Sequence, residues 1–338
     1  MRGNRPAVVA ALAVAAIVVA GCSAHHDDDT GRATGRAPGI AATAPATAPP
    51  AGTVIASPAV GLLVSDPQTG HLAATDPAGT TLRLIDPDDP GAARALPLPA
   101  PAAALVPGGP GQVLVAAGRR VLRVDMTSAA ITAVPVDGQV RSVAQRGDGT
   151  LAVGLDGGRV QILGADGKPV HTVTGLGTVD EVVADGSAVA TLDLAQTTLT
   201  QLDLGRGRPG LALRAGLGTT HVIGDRFGRL LATDTSGNGL LVYTTDQLLL
   251  RQRFPVGAGP YAIAYDERSD TVWLTLTGTN EVAGFDLSTG IPVQVGRFAT
   301  VRQPNSLTID NRTGEMFVGS ATGDGLQRVR ADQRKRGQ

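Results

Sequence analysis

The chain has one cysteine, Cys22, in 338 residues. With no second thiol to pair, a disulfide framework is excluded, and stability must come from burial, which a chain of this length can supply unaided. Aromatic residues make up 3% of the chain, and Trp273, Tyr243, Tyr261 and Tyr265 supply its only indole and phenol rings. A broad platform for stacking sugars or bases is therefore not expected. Neither charge dominates, with 29 Lys+Arg against 30 Asp+Glu, so no basic face points to nucleic acid. The basic end within "RADQRKRGQ", residues 331–338, reads as a solvated tail. Long apolar runs are also missing, with one exception at residues 7–20. P-loop and G-x-S-x-G signatures are absent. "GRGRPG" at 205–210 satisfies G-x-G-x-x-G, but Pro209 and the following "LALRAG" offer a loop and a short strand where a dinucleotide site needs a helix.

What is present begins at the N-terminus. Arg2 and Arg5 precede 14 apolar residues, "AVVAALAVAAIVVA", and then small residues. This is a secretory signal layout, and the run falls short of the roughly 17–25 residues that span a bilayer. Its end, "VAGC" at Val19–Cys22, resembles the lipobox of bacterial lipoproteins. The resemblance implies that residues 1–21 are removed between Gly21 and Cys22. It also implies that the Cys22 thiol receives a diacylglycerol with acyl chains such as palmitate, and that the protein sits on the outer face of the plasma membrane, in the cell envelope. At about 0.8 kcal/mol per buried methylene, two or three such chains hold a protein durably.

After Ser23 and Ala24 come His25, His26 and Asp27–Asp29, and with Cys22 they offer metal-ligand chemistry. A lipidated cysteine is a thioether, which leaves the cluster as a hydrated spacer above the bilayer. The 338 residues less these 21 leave 317, with 27 Lys+Arg against 30 Asp+Glu. From Cys22 to Gly52, composition such as "GRATGRAPGIAATAPATAPPAG" cannot bury enough apolar surface to offset ordering entropy. A flexible, partly extended tether is expected over 22–52.

Beyond residue 52 the sequence repeats itself. "PYAIAYDERSDTVWLTLTGTNEVAGFDLSTG" from Pro260 and "PNSLTIDNRTGEMFVGSATGDGLQRV" from Pro304 share a proline, an alternating strand ending in aspartate, a polar turn and a second alternating strand. Units starting near 59, 103, 140, 179, 220, 260 and 304 lie 37 to 44 residues apart. Apolar residues recur with period two, as in Val272/Leu274/Leu276, and 45 glycines suit short hairpins. "DQLLLRQR" at Asp246–Arg253 tempts a helical reading, but the repeat phase makes it extended. Seven units of four short strands predict an all-β fold, a seven-bladed β-propeller over 53–330. The last unit ends after three strands, so "GTVIASP" at Gly52–Pro58 is expected to supply the missing outer strand. "NRT" at 311–313 matches a glycosylation sequon, but its place in a hairpin turn accounts for it.

The repeats over 253–320 resemble the YVTN propeller family. "VGAGPYAIAYD" at Val256–Asp266 follows that family's "VGxxPxxIAxD", and "TNEVAGFDLSTG" stands where the family shows a strand ending in "DxxTG". With the lipobox and tether, the chain resembles LppL-type mycobacterial lipoproteins. The resemblance implies a lipid-anchored envelope propeller and supplies no catalytic residues.

Aligning the units puts Arg141, Asp180, Thr220, Tyr261 and Asn305 at one level, two residues before the first core apolar residue, with Glu181 and His221 adjacent. These seven are the candidate ligand-binding residues of a channel mouth. His71 and His171 fall at blade starts or hairpins and are read as surface residues. Only Asp180 and Glu181 bring carboxylates to the mouth, which disfavours a metal-dependent lactonase, and neither metal nor cofactor is expected. The sequence thus favours a monomeric binding or scaffold module for an envelope protein, glycan or small ligand, over a lactonase- or hydrolase-like enzyme at the same mouth.

Overall fold

The computed structural model describes Met1 and residues 37–46 and 48–335. The signal segment, Gly21, Cys22 and the His25–Asp29 cluster lie outside the described residues.

Between Thr53 and Val329 the alternating segments form 28 strands in seven antiparallel four-stranded sheets. Six sheets are built from four consecutive strands. The seventh takes its outer strand from the other end of the chain, with Thr53 opposite Arg328 and Ile55 opposite Leu326. This is a seven-bladed β-propeller whose ring is closed by the segment expected to close it. The blades open with the strands Leu63–Ser65, Ala102–Pro107, Val140–Gln145, Glu181–Asp185, Thr219–Gly224, Pro260–Asp266 and Pro304–Asp310, which we number blades 1 to 7. Each of these strands contributes to the wall of a central channel.

Period-two alternation gives each blade two apolar faces in its inner half, one for each neighbour. In blade 6, all of Thr271–Leu276 is buried, whereas the outer strand Val293–Ala299 is largely open. The buried residues sort into layers between adjacent blades. Leu231 and Val242 of blade 5 pack with Val272, Leu274 and Phe285 of blade 6. Phe317 and Leu326 of blade 7 pack with Leu63, Leu72 and Ile85 of blade 1. Recurrent aspartates tie the hairpins, as where Asp66 accepts hydrogen bonds from Thr69 N at 2.8 Å and Thr69 Oγ1 at 2.6 Å. "GRGRPG" is a turn leading into the strand Arg208–Arg214, and Asp246–Leu248 is a turn before the strand Leu249–Pro255.

Two expectations are corrected. The segment 22–52 is not wholly a free tether, because from Pro38 it lies on the propeller. Ala42 N donates to Thr277 Oγ1 (2.9 Å), Gln303 Nε2 to Ala42 O (2.7 Å), and Asn280 Nδ2 to Ala44 O (2.9 Å) and Pro45 O (3.1 Å). Apolar burial does not drive this docking; side-chain amides reading an extended backbone do. The C-terminal tail is likewise not fully solvated. Arg334 is 7% exposed and pairs with the buried Asp266 at 2.7 Å, with its guanidinium over the Trp273 ring. A buried carboxylate needs a counter-charge, and the tail supplies it.

Gln327 is fully buried where the two chain ends meet. Its Nε2 donates to Ala51 O (2.7 Å) and Ala299 O (3.0 Å), and its Oε1 accepts from Val301 N (3.1 Å). Replacing Gln327→Leu strands Ala51 O and Val301 N, while Ala299 O keeps its bond from Ala51 N, and is expected to lower stability by about 2–4 kcal/mol in urea unfolding. An unchanged midpoint would show that the closure does not depend on this side chain.

Candidate ligand site at the channel mouth

The first strands of the blades carry a recurring irregularity. In five of the seven, the pairing register slips near the start of the strand: between Ala102 and Ala104, Val140 and Ser142, Thr219 and His221, Pro260 and Ile263, and Pro304 and Ser306. In blade 4, Asp180 N donates to Leu192 O at 3.0 Å while Glu181 stands opposite the same Leu192. A bulge frees one residue from the ladder and re-aims its side chain. The residues skipped include Arg141, Thr220, Tyr261 and Asn305. Together with Asp180, Glu181 and His221 they border one cavity of about 680 Å³. Below this polar rim, Leu63, Leu105, Val143, Val182, Val222, Ile263 and Leu307, one from each blade, form an apolar wall.

Two acid–base pairs organise the rim. Arg141 bonds Asp180, which also accepts from Thr178 Oγ1 (2.5 Å) and Leu194 N (2.9 Å). Burial alone would raise the Asp180 pKa, but the hydrogen bonds from Thr178, Leu194 N and Arg141 outweigh it and hold it below the ordinary value. Glu181 bridges to blade 5, with Oε1 2.6 Å from His221 Nδ1 and Oε2 accepting from Val222 N at 2.7 Å. This orients the imidazole so that Nδ1 faces the carboxylate and Nε2 is left for the channel. Burial opposes charging His221, yet the Glu181 charge and hydrogen bond prevail and raise its pKa. Tyr261 stands edge-on to His221, with ring centroids 5.1 Å apart. Burial first, and then the Glu181 charge, push the Tyr261 phenol up, so it remains a donor at neutral pH. Asn305 Oδ1 is buried without a partner among the described residues.

Thr220 departs from its expected role. It is 5% exposed, and its hydroxyl is engaged with Thr235 Oγ1 (2.6 Å) and Thr233 Oγ1 (3.1 Å), so it shapes the wall and offers no free group. Among the lining residues that escaped the sequence reading are Ser142, Pro38 and Gly39. Ser142, the residue after the blade-3 bulge, donates to Val179 O at 3.3 Å, and its place beside Arg141 was the available signal. Pro38 and Gly39 also border the cavity, and nothing in a Pro/Ala/Thr composition marks them. His71 lies instead by Asp86 at 3.8 Å, His171 on an exposed outer strand, and Trp273 is buried against Phe298. Among the described residues, no three of His, Cys, Asp and Glu gather as metal ligands. Arg141 and His221 already occupy the two carboxylates.

No protein-family model matches the chain, and no curated protein matches its sequence. Solved structures do match in fold. Hydrazine synthase from Kuenenia stuttgartiensis is 14% identical with a TM-score of 0.67, covering 84% of this chain and 99% of that one. A streptogramin B lyase is 14% identical with a TM-score of 0.65, covering 83% and 96%. A catalytically inactive histidine-to-alanine variant of virginiamycin B lyase from Staphylococcus aureus, with quinupristin, is 16% identical with a TM-score of 0.64, covering 82% and 98%. At such identities the likeness is one of architecture, the seven-bladed propeller.

The His221–Glu181 pair gives a pH dependence of known sign. A raised folded-state pKa means that the pair stabilises the fold fully below the ordinary value of 6.5, and that this contribution is lost as pH rises through the folded pKa. Glu181→Gln leaves burial as the main influence, so the His221 pKa should drop below 6.5 and the pH dependence of melting that it carries should reverse sign, stability then falling as pH drops below 6.5. NMR titration of the imidazole checks this, and a His221 pKa unmoved by Glu181→Gln would contradict the pairing.

Proposed function

We propose that the chain is a lipid-anchored envelope propeller of the LppL type, with YVTN-like repeats, that acts as a monomeric binding module and takes a small polar ligand at its channel mouth. The observation that carries the reading is the cavity of about 680 Å³, where blades 3 to 7 converge Arg141, Asp180, Glu181, His221, Tyr261 and Asn305. Its volume is that of a small-molecule site, with an apolar wall and a few placed polar groups. Among the described residues the Asn305 amide oxygen has no partner, so a ligand that donates to it satisfies a buried acceptor. The rim pairs Arg141 with Asp180 and His221 with Glu181, so its charges largely cancel, which suits a neutral or zwitterionic polar ligand. The lipobox "VAGC" supports the anchor at Cys22 and placement on the outer face of the plasma membrane.

A second reading, an enzyme acting at the same mouth, is favoured by one specific feature. His221 has its Nδ1 held by a carboxylate, which prepares Nε2 to accept a proton from a substrate. Two of the fold neighbours are named as lyases, and one is inactive with a histidine replaced. This reading requires a substrate whose turnover collapses in His221→Ala.

Thermal-shift screening of the detergent-solubilised chain against small polar metabolites, glycans and metal ions tests the binding reading. Compounds that raise the melting temperature should lose at least tenfold in affinity in Asn305→Leu. Equal affinity in wild type and variant would move binding away from the channel. Separately, Cys22→Ala should release the protein from the membrane fraction, and continued lipid labelling of that variant would refute the anchor.

A further inference from the structure

The segment from Pro38 to Pro45 crosses the loop-bearing face of blades 5, 6 and 7, and its first residues reach the channel. Gly39 sits directly on blade 5. A Cβ built there would lie 2.3 Å from Gly218 O, 2.6 Å from Thr235 Cβ and 3.1 Å from Thr220 Cγ2. Pro38 and Gly39 border the same cavity as His221 and Tyr261. Beneath them Thr220 is 5% exposed, although it occupies the bulge position that elsewhere turns side chains toward the mouth.

The means of attachment differ along the segment. At its C-terminal side the chain is fixed. Ala51 N donates to Ala299 O (3.0 Å), and Thr53–Ile55 is then part of the blade-7 sheet. Toward the mouth it is held by Thr277 Oγ1, Asn280 Nδ2 and Gln303 Nε2 acting on its main chain. Its side chains are small or turned outward, and its one large apolar residue, Ile40, is 81% exposed. Undocking therefore uncovers little apolar surface, and water can replace each amide contact. Asn280 and Gln303 both have positive φ, 51° and 50°, and Asn280 Oδ1 accepts from Gln303 N at 2.9 Å. The two amides are thus fixed to the propeller as a rigid pair of donors, ready to hold or release a passing backbone.

We propose that Pro38–Pro45 is a displaceable lid on the channel mouth, fixed at its blade-7 end and free to lift at its blade-5 end. Docked, it covers the Thr220 sector of the rim beside His221. Lifted, it widens the mouth on that side, so occupancy of the channel and docking of the segment are linked. The proposal concerns access to the channel and does not depend on which ligand enters it.

A thiol at the covered position reads the lid directly. In the full chain carrying Thr220→Cys, labelling by N-ethylmaleimide is followed at the peptide level, which separates position 220 from Cys22. With the native segment the thiol at position 220 should react slowly. Adding Asn280→Asp and Gln303→Glu replaces the three donor contacts by oxygen facing oxygen, while keeping the Oδ1 bond to Gln303 N and residue types that tolerate the backbone. Labelling should then rise about tenfold, with the melting temperature of the propeller little changed. Gly39→Val provides an independent release, since its Cβ has no room on Gly218 O, and should give the same rise even if the double variant does not fold. Rapid labelling with the native segment, or unchanged labelling in the folded release variants, would overturn the lid. Either result would leave the reading of the channel as a ligand site standing.

Discussion

A propeller blade cannot hide both of its apolar faces by itself, and every other feature of this protein follows from that constraint. Each inner pair of strands is buried on both sides, so each blade must be flanked twice, and the arrangement is satisfied only when the last blade meets the first. Seven hydrophobic layers serve the seven interfaces. The layer between blades 7 and 1 is built on Phe317 against Leu72 and Ile85. On the other side of blade 7, toward blade 6, the two ends of the chain are sewn together through Gln327.

Ring closure creates the channel, and the bulges decide what faces it. Strands arranged radially present their edges to the axis, where backbone groups rather than side chains would dominate. A slip of register at the start of successive strands brings one polar side chain per blade to the rim at Arg141, Tyr261 and Asn305. Blade 4 adds the bridge to blade 5 through Glu181, which links the two sheets at the rim. The site is therefore a product of the repeat, with its chemistry supplied by the differences among repeats.

The period of about 40 residues, the alternation and the missing fourth strand made the architecture legible, because each is a property of local sequence. The rim positions were legible for the same reason, since equivalent residues in a repeat fold to equivalent places. What was not legible depends on long-range partners. Thr220 reads as one more polar rim residue, and only the fold shows its hydroxyl enclosed by Thr233 and Thr235. The docked stretch Pro38–Pro45 has the composition of a spacer; its order comes from Asn280 and Gln303, more than 230 residues away. Arg334 looks like part of a basic tail until Asp266 is seen beneath it as its ion-pair partner.

The mixed parentage of blade 7 also bears on the order in which the molecule can be made. Thr53 pairs with Arg328, so the first strand to be synthesised waits for the last before it has a sheet to join. Six blades can form in sequence as the chain emerges, each from its own four neighbouring strands, but the ring remains an open arc until residue 329 is available. The completed ring is therefore formed last, and until then the exposed flanks of blades 1 and 7 are the adhesive surfaces of the newly made chain.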